Sequence, residues 1–127
     1  MTTAIKTMTT QEVAARFNEL AQQEKWFDIQ QELFADNVRS VDPDNSPYFP
    51  YAEGKEAVRK KGESFVGRVT GMYKLQTSEP LVAGNHFAVQ REKELEVTGI
   101  GRVHINQIML YEVKDGEIVL EQFFYTV

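Results

Sequence analysis

Leu33-Phe34-Ala35-Asp36-Asn37-Val38-Arg39-Ser40-Val41-Asp42-Pro43 takes the chain out of a helical pattern, through a short strand, and stops it on a carboxylate held by a proline. A residue that precedes proline is driven out of the helical region, so Asp42 is expected to be extended, at a strand end. If that strand lines a cavity, Asp42 stands at its edge. An acid in an apolar hollow is one way for a small domain to acquire a general base. The dull alternative is an Asx-type cap on the Pro43-Asp44-Asn45 turn, with Asp44 a solvated turn residue.

The flanks of this stretch decide the fold class. Upstream, Thr9 or Thr10 followed by Glu12 and by Val13, Phe17 and Leu20 predicts a capped amphipathic helix running to about Glu24. A second helix is expected from about Phe27 to Phe34, with Trp26 as a packing anchor in the corner, and the strand follows over Val38 to Asp42. Pro43 to Tyr51 holds three prolines and reads as an irregular loop of aromatic tips, Tyr48, Phe49 and Tyr51. A third helix is expected from about Glu53 or Gly54 to Val66, with Gly67 as its stop. Beyond it the period changes. Segments near Arg68 to Leu75, His86 to Val97, Arg102 to Val113 and Ile118 to Tyr125 alternate or are rich in β-branched and aromatic residues, with turns at Gly84-Asn85 and Lys114-Asp115-Gly116. Helices first and an antiparallel meander afterwards define an α+β domain. A curved sheet against three helices would leave a conical hollow, and Gly67, Gly71, Gly99 and Gly101 are expected to let the strands bend.

Composition narrows the function classes. The 127 residues fit a single domain, 1–127, with no internal repeat or linker, and 42% hydrophobic with 26% charged residues is an ordinary globular balance. A net charge of −5, with no dense basic run beyond Arg59-Lys60-Lys61, argues against nucleic acid or an anionic membrane as partner. There is no cysteine, and His86 and His104 are too few and too far apart for a histidine-rich ligand set, so neither a metal nor another cofactor is expected. The polar, Thr-rich Met1 to Thr10 lacks the apolar run of a signal peptide, and no stretch approaches the roughly 20 apolar residues of a membrane span, so a cytoplasmic location is the expectation.

Taken together, the LFADNVRSVDP stretch, the GKEAV helix start, LVAGNHFAV and the ending YEVKDGEIVLEQFFY resemble the SnoaL-like and ketosteroid-isomerase-like branch of the NTF2-like superfamily. The resemblance implies a cone-shaped α+β domain, three N-terminal helices on a strongly curved, mostly antiparallel sheet, homodimeric through the outer sheet surface. It also implies a pocket for a small apolar or amphipathic ligand, in a family that includes isomerases, polyketide cyclases, epoxide hydrolases and dehydratases beside members without demonstrated activity. Asp42 matches the position of the isomerases' proton-shuttling aspartate, a carboxylate whose pKa desolvation would raise. The isomerases' two oxyanion donors are not matched, since Phe17 stands on the first helix and Met109 on the sheet, so steroid isomerisation by that mechanism is not expected.

Other candidates come from strand facing. On the strand from His86 to Val97, apolarity turns Phe87, Val89, Arg91, Lys93, Leu95 and Val97 inward, which would let Arg91 pair with Asp42 or bind an acidic ligand. Similarity to the isomerases instead turns Gln90, Glu92 and Glu94 inward, and a splayed, solvated strand end is the plain alternative to both. On the last strand Glu121, Phe123 and Tyr125 share one face, which the resemblance points into the cavity, Glu121 as a second carboxylate. Tyr111 would supply a hydroxyl or fill the core. Tyr48, Phe49 and Tyr51 would act as a lid or pack outside. Two functional expectations follow: a cofactor-free isomerase, cyclase, dehydratase or hydrolase with Asp42 as general acid/base, or a non-catalytic ligand-binding or dimerisation module.

Overall fold

The first helix, α1 (Thr10–Ala21), begins where its cap is strongest: Thr9 Oγ1 accepts from the Glu12 amide at 3.1 Å and the Glu12 carboxylate accepts from the Thr9 amide at 2.9 Å. The computed structural model describes residues 7–48 and 51–126, so Phe49 and most of the Met1 to Thr10 segment lie outside the described residues. The helix α1 buries Val13, Ala14, Phe17, Leu20 and Ala21. It ends three residues before the expected Glu24 because the chain reverses there, with Glu24 in the left-handed region at φ 59°. Helix α2 (Trp26–Leu33) follows at once and buries Ile29 and Leu33, so Trp26 opens the helix instead of sitting between two.

Strand β1 (Phe34–Val41) grows directly out of α2 and starts four residues earlier than its alternation suggests. Asp36 and Asn37 are both exposed and the pairing register shifts between Phe34 and Arg39, so the period-two signal resumes only at Val38. Asp42 lies one residue past the strand. Tyr51 is not part of an irregular loop but opens the short β2 (Tyr51–Glu53), which pairs with β1, and α3 (Lys55–Val66) follows. The remaining strands are β3 (Val69–Thr77), β4 (Leu81–Ala83), β5 (His86–Val97), β6 (Gly101–Lys114) and β7 (Glu117–Phe124). Neither β2 nor β4 is visible in the sequence as a strand, since three residues are too few to show a period.

The sheet order is β2-β1-β7-β6-β5-β3, with β4 on the start of β5; β1 runs parallel to β7 and every other pair is antiparallel. The three helices pack on this curved, unclosed sheet. Of the glycines expected to bend strands, Gly99 and Gly101 instead make the β5–β6 turn, at φ 82° and 98°, and Gly67 caps α3. Gly71 alone sits at a strand irregularity, opposite Glu96. The core joins α1, α2, β1, the first half of β5 and the second half of β6 through Phe17, Phe87 and Tyr111, whose rings lie 4.7–5.1 Å apart. Among the described residues no helix is long and apolar enough to cross a membrane.

Candidate functional site

Helix α1 packs on β4, β5 and β6, whereas α3 packs on β1 and β2, and between them the later halves of β5 and β7 and the earlier part of β6, from Ile105 to Met109, face a cavity of about 550 Å3. Its walls are largely apolar: Trp26 and Phe27 from α2, Val58 and Phe65 from α3, Leu75, Leu95, Ile105, Met109 and Phe123 from the sheet. A separate hollow of about 590 Å3 lies outside, at the start of α3 beside Asp36 and Glu53, and holds none of the candidate residues.

One side of the cavity carries a connected run of polar side chains. Tyr125 donates its hydroxyl to Asp42 Oδ2, and Lys61 is ion-paired with Asp42 Oδ1, off the direction of a well-formed hydrogen bond. Lys61 Nζ donates to Ser40 Oγ at 2.8 Å, and Ser40 donates to Glu121 Oε1 at 2.7 Å. Tyr111, paired with Glu121 across β6 and β7, has its hydroxyl beside the Glu121 carboxyl. Ser46 lies 2.6 Å from the Tyr125 hydroxyl and accepts from the Tyr48 amide at 3.0 Å. Asp42 is 8% exposed, so the acid anticipated as solitary is half of a nearly buried ion pair. Burial pushes Glu121 up to about 7, although Ser40 and Lys61 favour its charge. Burial and the Asp42 carboxylate together push the Tyr125 phenol well above its ordinary value.

A second polar group lies across the cavity on β5. The Arg91 guanidinium makes a two-pronged pair with Glu24, at 2.8 and 3.1 Å, donates to Thr77 Oγ1 at 2.8 Å, and lies over the Trp26 ring at 4.5 Å. Burial works against the charge on Glu24, yet the bonds from Arg91 and Trp26 hold its carboxyl below the usual range. Lys93, two residues on, points its amine over the Phe65 ring at 4.7 Å. Burial, with Arg91 beside it, brings that amine down to about 8 against the pull of Asp42 and Glu24.

The odd residues of β5 therefore face inward. Phe87, Val89, Arg91, Leu95 and Val97 are buried, while Gln90 meets Asn106 on the outer surface and Glu92 meets Lys74 and His104. The β5–β6 register runs without a shift from His86 to Val97, so no bulge reconciles the two facings, and the inward set suggested by the isomerases is the outer one. Nor is the inward set a solvated strand end.

Of the residues singled out in the sequence, Asp42, Tyr48, Arg91, Met109, Glu121, Phe123 and Tyr125 line the cavity. Phe17 does not: it is sealed in the core against Trp26, Phe87 and Tyr111. Tyr111, 1% exposed and stacked on Phe87, touches the site only through Glu121. Tyr51 is half exposed on β2 and bonds to Glu53, away from the cavity, because pairing with β1 turns it outward. Tyr48 packs edge-on against Phe65 at 5.3 Å, at the mouth. Arg91 pairs with Glu24 and not with Asp42. The carboxylate of Asp42 is engaged by Lys61 and Tyr125, not by a turn amide among the described residues, so it is no Asx cap. His86 and His104 lie on the outer surface with Glu112 and Glu92. Among the described residues no three of His, Cys, Asp and Glu are grouped so as to hold a metal ion.

Lys61 is the site residue that reading the charge run Arg59-Lys60-Lys61 overlooks. Its place in the helix reveals it, for Lys61 lies three residues after Val58 and four before Phe65, within the apolar stripe of α3, while Lys60 and Arg59 fall on the wet side. Ser40 is legible in the same way, two residues before Asp42 on the face of Val38.

The model of the SnoaL-like domain matches residues 8–125. No curated protein matches the chain. Among solved structures, a protein named a SnoaL-like polyketide cyclase, from Mesorhizobium loti, is similar at 29% identity with a TM-score of 0.86, over 93% of this chain and 100% of that one. An NTF2-like protein from Burkholderia pseudomallei superposes with a TM-score of 0.72 at 16% identity, over 94% and 92% of the two chains. TerC, co-crystallised with polyporic acid, superposes with a TM-score of 0.70 at 13% identity, over 92% and 91%. A helix order and a sheet topology like these, under a family match that spans nearly every described residue, carry one conclusion: the chain belongs to the SnoaL-like domain family, with the fold of NTF2-like proteins.

Proposed function

We propose that this protein is a cofactor-free enzyme that moves a proton on a small, largely apolar molecule, by chemistry of the isomerase, cyclase, dehydratase or hydrolase type, with Asp42 as general acid/base. The observation that carries this is the pair of nearly buried carboxyls, Asp42 and Glu121, joined through Lys61 and Ser40 beside an apolar cavity. Their surroundings are unlike: Asp42 has a cation and a phenol against it, while Glu121 has only neutral donors in direct contact. Two acids held in different environments are the arrangement that lets one accept a proton while the other keeps the charge of the site in balance. When Asp42 takes a proton, the Lys61 cation loses its partner, and Glu121, titrating near neutrality, lies one hydroxyl away to compensate. Arg91, Tyr48, Met109, Phe123 and Tyr125 would contact the ligand.

The test needs no natural substrate. Exchange of the α-protons of 2-tetralone in D2O, followed by NMR, is expected to be accelerated about a hundredfold or more by the protein and to fall to the buffer rate in Asp42→Asn. Unchanged exchange in that variant would remove Asp42 as the base.

One observation favours a second reading, a ligand-binding module without turnover: Phe17 is sealed in the core and Met109 stands on β6, so the isomerases' oxyanion donors have no counterpart at those positions. That reading predicts ligand extracted from the purified protein and identified by mass, with no conversion of any bound compound. Association is proposed through the outer sheet surface, where Ile108 and Phe124 are paired across β6 and β7 and are 47% and 48% exposed. Charge and composition support neither nucleic acid nor membrane as partner, and a cytoplasmic location is proposed with them.

A further inference from the structure

Of the cations lining the cavity among the described residues, Lys93 is the one left without an ion-pair partner. Asp42 has Lys61, Arg91 has Glu24, and Glu121 has its two neutral donors, but Lys93 has no hydrogen-bond or ion-pair partner among the described residues. Its neighbours across the sheet are Leu75 on β3 and Ile105 on β6, both apolar and both lining the cavity, and the ring of Phe65 covers its amine. A cation held against an apolar wall without a counter-ion is costly, and a ligand that brings the missing negative charge recovers that cost.

We infer that Lys93 is the anchor for an acidic group, a carboxylate, on the ligand, and that the cavity selects small apolar acids over their neutral analogues. This rests on the small-molecule reading given above and names the substrate class for it. Arg91 contributes by place and not by direct pairing. Its guanidinium is already spoken for by Glu24 and Thr77, so it raises the local positive potential while leaving the Lys93 amine to make the bond. An amine brought down to about 8 remains mostly cationic at pH 7, and an anion docked on it would draw its proton affinity back up.

Isothermal titration of the purified protein with 2-naphthoate and with 2-naphthamide, two probes of one shape, tests this. The acid is expected to bind about ten- to a hundredfold more tightly than the amide at pH 7. At pH 8, titrations in buffers of different ionisation enthalpy should show proton uptake with the acid only. The groups facing the amine are Arg91 on its own strand, Asp42 from the end of β1 and Glu24 from the α1–α2 turn, so the uptake should vanish in Lys93→Met and persist in Asp42→Asn. Lys93→Met is expected to lose the preference for the acid, Lys93→Arg to keep it, and Lys74→Met, on the outer face with Glu92, to change nothing. Equal affinity for acid and amide overturns the assignment while leaving the cavity reading intact. A preference that survives in Lys93→Met also overturns it. Binding of neither probe removes both readings together. The comparison of acid with amide on the unmodified protein stands even if a variant fails to fold.

Discussion

The same three strands are shut at one end and open at the other. Toward α1 the inward residues of β5 and β6 are Phe87 and Tyr111, paired in register and stacked, with Phe17 driven between them and Trp26. Four residues along, the inward pair is Arg91 and Gln107, and beyond it Lys93 faces Ile105 across the cavity floor. The β5–β6 pairing is continuous from one end to the other, so this ladder does not distinguish the two ends; the helices do. Helix α1 covers the Phe87–Tyr111 end of β5 and β6 and then runs out, while α3 leans on β1 and β2. What the helices leave uncovered becomes a cavity, and the chain places its buried polar heads along the seam, where rings give way to space.

This division makes substitutions at the two ends differ in kind. The largest effect is expected in the shut end: Phe17→Ala should cost roughly 3–5 kcal/mol of stability in denaturant unfolding, because three rings close on it and none of them can collapse into the gap without moving a strand or a helix. A cost under about 1 kcal/mol would mean that this end is not packed as described. In the open end no apolar residue among those described has three rings closed on it, and the sensitive element is charge. Lys61→Met leaves the Asp42 carboxylate nearly buried without its cation, which should cost about 3 kcal/mol, whereas adding Asp42→Asn to it should restore most of the loss. Equal stability of the single and double variants would show that the pair is not coupled.

The shut end was the legible one. Its stripe Val13, Phe17, Leu20 and the alternation of Phe87 and Val89 both follow from period alone, and the capped start of α1 is written in Thr9 and Glu12. The open end was legible only in part. Asp42, Glu121, Phe123 and Tyr125 could be placed by facing and by family likeness, and alternation also turns Arg91 and Lys93 inward, but two charges there read equally as a solvated strand end until the cavity they face is known. Lys61 is masked by two exposed basic neighbours, and the partner of Arg91, Glu24, sits on a turn 67 residues away that no local pattern announces. Long-range pairing is a property of the folded surface, so charges that meet across a cavity carry no periodic signal.

The seam between the ends should show itself through pH. Glu121 has its proton affinity raised from 4.5 to about 7 by burial, a shift worth at most about 3 kcal/mol, of which about 2 is expected after relaxation. Below 4.5 the carboxyl is protonated in both the folded and the unfolded chain and costs nothing. As pH rises through about 7, the unfolded chain holds the charge in water while the folded one must hold it in the core, so this contribution to stability is lost. Glu121→Gln carries no such charge. Its stability relative to the unmodified protein should rise by about 2 kcal/mol between pH 4.5 and pH 8, read from urea unfolding at each pH. A difference that does not change with pH would place the charge of Glu121 elsewhere.

The smallest effect tests whether the ends are separable at all. Thr9 caps α1 at the far side of the shut end, its hydroxyl accepting from the Glu12 amide and its own amide donating to the Glu12 carboxylate. Thr9→Ala removes one half of that reciprocal cap and should lower stability by about 1 kcal/mol. Because no residue of α1 lines the cavity, and only Glu24 in the turn beyond it does, the titration with 2-naphthoate should be unchanged in this variant. If the loss at the cap also weakened binding, the ring stack of Phe17, Phe87 and Tyr111 would be passing strain through the Tyr111 hydroxyl to Glu121, which is the direct side-chain contact joining that stack to the polar run beside the cavity.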